Sequence, residues 1–196
     1  MVGRPREFDI DMALDAVMQV FWRKGYEATS VADLMAATGL HKGSIYGTFG
    51  DKHSLFIQAL RRYLQEMNRM EAEALKGAES PLDGLRKVGH AMIDLVDDDS
   101  DEPKGCMAVN AVVEMAPHDE EVKRIMEEHV QEMRDTIIEA IVAAQDAGEI
   151  TKDRPADVVA GMIMTFVSGL ATTVKAYIST EEAHHLYDAQ LEAISK

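Results

Sequence analysis

The sequence predicts an all-α protein of about nine helices, and three observations predict it. Apolar residues recur at i, i+3 and i+4 along most of the 196-residue chain, the spacing that lines one face of an α-helix. Ser, Asp and Pro stand where those periodic stretches begin, and Gly where several of them end. Strand signals are absent: no sustained apolar/polar alternation and no Asn-Gly turn occurs. Composition is 46% hydrophobic, 28% charged and 6% aromatic, ordinary for a globular protein. The length suffices to bury a core without disulfides or a structural metal. The one cysteine, Cys106, excludes a disulfide framework within the chain and every multi-cysteine zinc motif, and it suggests a reducing compartment.

Each element has its own warrant. Ile10, Ala13, Leu14, Val17, Val20 and Phe21 mark a helix over about 9–24, ended by Gly25. Ser30 opens a second with the capping box Ser30-x-x-Asp33 ahead of Val31, Leu34 and Met35. Thr38-Gly39-Leu40 breaks it, and a third runs over about 42–49 with Ile45 and Phe49 four apart. Asp51 caps a long fourth helix through Leu55, Leu60, Tyr63 and Met67; Ser80-Pro81 starts a fifth through Leu85, Val88, Met92 and Leu95. The acidic run 97–102 stops it. That run lacks the Gly and the final acidic ligand of a calcium loop and reads as a solvated loop.

Pro103 and Gly105 precede a short sixth helix carrying Cys106, Val109, Asn110 and Val113 on one stripe, with Cys106 in its first turn, and Pro117 ends it. Val122, Ile125, Met126, Val130, Met133, Ile137 and Ile141 mark a seventh, closed by Ala147-Gly148. Pro155 falls in the first turn of an apolar eighth helix to about 178. Thr165, Ser168, Thr172 and Thr173 interrupt that helix and make it a buried interface helix rather than a membrane span. Ser179-x-x-Glu182 caps the ninth. The basic start of the chain is not followed by an apolar stretch, so no signal peptide is expected, and the expected location is the cytoplasm.

The second and third helices, joined by Thr38-Gly39-Leu40, read as a helix-turn-helix whose second member enters a DNA groove. Its polar face offers His41, Lys42, Ser44, Tyr46 and Thr48, while Gly43 lets the backbone approach closely. Lys52 stands at the start of the fourth helix, where free N–H groups already favour an anion. Net charge is −15, with 20 Lys plus Arg against 35 Asp plus Glu, which excludes a generally basic nucleic-acid binder. The balance is uneven, however: residues 1–62 carry +1 and residues 63–196 carry −16. At a Debye length of about 8 Å the distant acid hardly weakens contacts at the reading face. The division expected is a DNA-binding domain over 1–52 and an effector-binding and dimerisation domain over 53–196.

The segments Gly25-Tyr26-Glu27-Ala28-Thr29-Ser30, Gly39-Leu40-His41-Lys42-Gly43-Ser44-Ile45-Tyr46, Phe49-Gly50-Asp51-Lys52 and Leu55-Phe56 resemble the TetR/AcrR family of bacterial transcriptional regulators. The resemblance implies phosphate contacts from Thr29, Tyr46 and Lys52. It implies groove contacts from Lys42, Gly43, Ser44 and Thr48. It also implies a homodimer on a palindromic DNA operator, a helical domain that binds a small-molecule effector, repression of neighbouring genes and no enzymatic activity. Where the family often has Ser, a second aromatic and His, this chain has His41, Gly47 and Thr48, so the operator sequence does not carry over.

In the larger domain, Gly105-Cys106-Met107-Ala108-Val109-Asn110 followed by Glu114 resembles a segment of one branch of that family, in some of which the cysteine senses electrophiles or oxidants. A helix N-terminus favours thiolate, and Lys175 is a lone cation in an apolar stretch, so a Cys106–Lys175 pair in the effector cavity is one reading. The other makes Cys106 a small core residue and Lys175 a snorkelling surface residue. Asn110 and His90 are further cavity candidates, each with a packing alternative. Gly161, Thr165 and Gly169 recur every four residues and let a partner helix approach closely, which suits a two-fold seam, the alternative being packing within one chain. No metal ligand set and no cofactor motif is found; adjacent His184 and His185 point to different sides of a helix. Two rivals remain at this point: a thiol enzyme using Cys106, for which neither His90 nor His118 has a telling spacing, and a helical interaction module that does not bind DNA.

Overall fold

The computed structural model describes residues 8–96 and 104–195; the basic segment 1–6 and the acidic run 97–102 lie outside the described residues. Those described form nine α-helices: α1 Ile10–Lys24, α2 Val31–Thr38, α3 Lys42–Phe49, α4 Lys52–Lys76, α5 Pro81–Leu95, α6 Met107–Glu114, α7 Glu120–Asp146, α8 Ala156–Val174 and α9 Thr180–Glu192. Six of them start on a side-chain cap that accepts from the first-turn amides: Asp9, Ser30, Asp51, Ser80, Asp119 and Ser179. Each such cap is worth about 1 kcal/mol. At Ser30 the box is reciprocal, since the Asp33 carboxylate also accepts from the Ser30 amide at 2.8 Å.

Three boundaries differ from expectation. Cys106 is the N-cap of α6, one residue before its first turn, and makes no side-chain capping bond. Pro155 likewise stands at the N-cap of α8. That helix ends at Val174 rather than near 178, because the Thr173 carbonyl takes the amides of Ala176 and Tyr177 at 3.0 and 2.7 Å and turns the chain toward the Ser179 cap.

Two cores share this scaffold. The first joins α1–α3 to the N-terminal part of α4 and continues into α6 and the start of α7, through Phe21, Leu34, Ile45, Phe56, Met107 and Ile125. The second joins α5, the later part of α7, α8 and α9, through Leu85, Ile141, Ile163, Leu170 and Tyr187. Met92 and Cys106 pack against both. The helix-turn-helix therefore sits directly on the elements that enclose the larger domain. By length and composition α8 could cross a membrane. Here its Val159, Ile163, Val167, Leu170 and Val174 are buried in the second core.

Candidate functional site

The outward face of the helix-turn-helix follows from its inward one. Gly39 takes the left-handed conformation at φ 67° that the tight turn requires. Ile45 and Phe49 are buried, which orients the rest of α3 outward. His41, Lys42, Gly43, Ser44 and Gly47 are exposed; Tyr46 and Thr48 are half-buried. Nothing lies within 4 Å of where a Cβ would stand on Gly43, so backbone there is open to a close partner. The Lys42 ammonium lies 5.8 Å from the Tyr46 ring centre. Lys52, in the first turn of α4, lies 4.6 Å over the Tyr26 ring, with its Nζ 3.4 Å from the Glu27 carbonyl. Thr29 departs from the set. It is 1% exposed and its hydroxyl donates to the Gly25 carbonyl at 2.6 Å, so it braces the turn into α2 instead of facing a phosphate.

An apolar cavity of about 320 Å³ lies at the junction of the two cores, walled by α4, α5, α6, α7 and α8 and by Tyr187 of α9. Cys106 lines it, and the Tyr63 hydroxyl donates to its Sγ at 3.4 Å. Burial, and the sulfur beside it, push the Tyr63 phenol up from its ordinary range. Lys175 does not line the cavity: it is the exposed C-cap of α8, its stem lying against Gly105. Because α8 ends at Val174, Lys175 is left at the exposed end of that helix, outside the cavity that Cys106 lines. Asn110 is also outside the lining; its amide donates to the Lys104 carbonyl at 3.4 Å. His90 faces α9 instead, 3.0 Å from the Asp188 carboxylate and stacked on His184 at 4.3 Å.

Sequence reasoning passed over His129, which does line the cavity and is 5% exposed. Burial pushes its pKa down, so the imidazole is neutral. Its signal was present: it stands three after Met126 and four after Ile125, an apolar-stripe position held by a polar residue.

The helix α6 lines the cavity and is hydrogen-bonded at both ends to α1 and the turn that follows it. At its start the Trp22 indole donates to the Gly105 carbonyl, and Lys104 Nζ donates to the Gln19 amide oxygen at 2.9 Å. At its end the Glu114 carboxylate accepts the amides of Tyr26 and Glu27 at 2.9 and 2.8 Å. Gly25 makes room for it: at φ 79°, a Cβ there would stand 2.6 Å from Glu114 Oε2. A further link ties α4 to α7, His53 Nε2 to Asp119 at 2.6 Å. Gly161, Thr165 and Gly169 line an open groove between α8 and α9, with Met162, Phe166 and Leu186. A Cβ on Gly161 or Gly169 would meet nothing within 4 Å.

Comparison with known proteins agrees with this architecture. Residues 13–59 match the family described as bacterial regulatory proteins, tetR family, and residues 81–190 match the tetracyclin repressor-like C-terminal domain. The HTH-type transcriptional regulator YezE of Bacillus subtilis is 32% identical over 149 residues, 76% of each chain. The HTH-type transcriptional repressor ComR of Escherichia coli is 28% identical over 180 residues, 92% of this chain and 86% of that one. Among solved structures, a cysteine mutant of the TetR family regulator CifR complexed with 26-base-pair operator DNA is 30% identical, with a TM-score of 0.84 over 98% of this chain and all of that one. A helix-turn-helix with an outward polar face, seated on a helical domain with an apolar cavity, is thus the architecture of this chain, which belongs to the TetR family of DNA-binding bacterial transcriptional regulators.

Proposed function

We propose that the chain is a cytoplasmic, homodimeric repressor that leaves its operator when a small molecule occupies the cavity. The observation that carries the reading is the outward face of α3, where Lys42, Gly43 and Ser44 are exposed while Ile45 and Phe49 anchor the helix from behind. Lys42, Ser44 and Thr48 read base edges, Gly43 admits the backbone, and Tyr46 and Lys52 hold phosphates. Residues 1–52 form the reading domain and 53–196 the effector-binding and dimerisation domain.

Dimerisation through the α8–α9 groove sets two copies of α3 about 34 Å apart, matching successive major grooves of a palindrome. Effector binding changes that spacing through two routes that start at the cavity wall. One is α4, which runs from Lys52 to the cavity residues Tyr63 and Met67. The other is α6, with Cys106 at one end and the Glu114 contact to Tyr26 and Glu27 at the other. Coupling arises only if the effector binds the two spacings with different affinity. A second mode, modification of the Cys106 thiol by an electrophile, is favoured by its place in the cavity beside the Tyr63 hydroxyl.

The test is operator binding across a salt series. Lys52→Ala should weaken binding to every sequence and flatten the slope of log K against log salt by about one unit, and Lys42→Ala should weaken specific binding. Unchanged affinity and slope in both variants refute the assignment.

A further inference from the structure

The cavity's chemistry narrows what can occupy it. Its lining contains no Asp, Glu, Lys or Arg. Of its polar groups, the Tyr63 hydroxyl is committed to Cys106 and the Tyr187 hydroxyl to the Leu85 carbonyl at 2.9 Å, while Ser168 stands exposed at the outer edge. His129 is different. It is 5% exposed and forms part of the wall, with a polar surface depression of Arg61, Gln65, Asn68, Glu128 and Glu132 on its other side, and neither Nδ1 nor Nε2, both shielded from solvent, has a hydrogen-bond partner. A buried polar group without a partner is destabilising, and a neutral imidazole holds one donor and one acceptor.

We infer that the effector is a neutral, mostly apolar molecule carrying one hydroxyl or carbonyl group, and that His129 is the residue that pairs with that group. The inference rests on the cavity being the effector site proposed above. Charge selects against carboxylates and amines, because an ion entering this wall finds no counter-charge and loses its hydration. Burial of the ring holds His129 neutral, so it does not supply one. Size is bounded by about 320 Å³, at the lower end of ligand pockets. Shape is loosely specified, because Met67, Met92, Met126, Met133 and Met164 make up much of the wall and methionine adapts to varied apolar outlines. Val112 of α6 and Val130 of α7 are both 42% exposed and both line the cavity, so the wall is apolar where it nears solvent.

Three probes of one skeleton test this on the full chain by titration calorimetry at pH 7.5: 4-phenyl-1-butanol, n-butylbenzene and sodium 4-phenylbutyrate. The alcohol should bind about fivefold more tightly than the hydrocarbon, the worth of one ordinary hydrogen bond. The carboxylate should bind at least about tenfold more weakly than the alcohol. His129→Leu should erase the preference for alcohol over hydrocarbon, and His129→Gln should keep part of it, which also guards against a folding defect in the leucine variant. The inference is overturned if none of the probes binds, if the carboxylate matches the alcohol, or if the alcohol preference survives in His129→Leu. Operator binding measured in parallel separates the two readings. Intact operator binding with no probe bound overturns only the effector class. The expected probe order with operator still held at saturating alcohol supports the ligand class and overturns the release mechanism.

Discussion

Gly89 offers a sharp test of the packing between α5 and α9. It is buried in α5, and a Cβ on it would stand 2.0 Å from Cε1 and 2.2 Å from Cζ of Tyr187. Substitution by alanine therefore drives the Tyr187 ring out of its seat. Three effects compete. Alanine gains about 1 kcal/mol over glycine in a helix interior. Overpacking of a filled core costs about 1–3 kcal/mol. The displaced ring also loses the bond from its hydroxyl to the Leu85 carbonyl, and a buried hydroxyl without a partner costs about 1–3 kcal/mol. The two penalties outweigh the propensity gain, and Gly89→Ala should lose roughly 3 kcal/mol. At about 2–4 °C per kcal/mol for a chain of this length, the melting temperature falls by roughly 6–12 °C. Circular dichroism at one fixed protein concentration is the assay, because a dimer's melting point shifts with concentration. Tyr187→Leu in the Gly89→Ala background removes the clashing ring, so the double variant should be more stable than the sum of the singles by about 1–3 kcal/mol. A Gly89→Ala protein that melts at or above wild type, or a cycle that is additive, refutes the reasoning.

Three further outcomes are expected. Glu71 on α4 is 7% exposed and one of its carboxylate oxygens has no partner; burial pushes its pKa up to about 7 from an ordinary 4.5. The fold prefers the protonated form, so stability is lost as pH rises from 4.5 through 7, by up to about 3 kcal/mol; Glu71→Gln should therefore stabilise at pH 8 and do nothing at pH 4.5, and denaturation curves alike at both values would contradict this. Gly169→Leu should leave the folded monomer intact, since Gly169 meets nothing within 4 Å, yet abolish the dimer by light scattering; a persistent dimer of wild-type stability removes the α8–α9 seam. Glu114→Ala deletes both acceptors of the Tyr26 and Glu27 amides, and their hydrogen exchange should accelerate about 10–100-fold, charge-assisted bonds being worth about 1.5–3 kcal/mol; unchanged exchange would mean that other contacts hold α6 to the reading head.

Much of the fold is legible in the sequence because helices are specified locally. The capping box at Ser30, the left-handed glycine at position 39 and the Asp51 cap each act within four residues, and each stands where the spacing predicts. The end of α8 is misread because Thr173 turns the chain with its own carbonyl, a choice that apolar composition does not record. The outward residues of α3 are legible for the same local reason: once Ile45 and Phe49 are recognised as the buried pair, the remaining positions must face away.

The sequence by itself determined the helices, their order, the outward polar face of α3 and the concentration of acid away from it. Only the tertiary structure decided which polar groups are buried and with whom. Thr29 is turned inward toward the Gly25 carbonyl, Lys175 is left at the exposed end of α8, and Glu114 reaches Tyr26 across 88 positions of sequence. The physical reason lies in range. Caps and periodicity depend on neighbours a few residues apart, whereas the walls of a cavity, a clash such as that between Gly89 and Tyr187, or the isolation of His129 arise where helices distant in sequence pack, and they exist only after those helices have met.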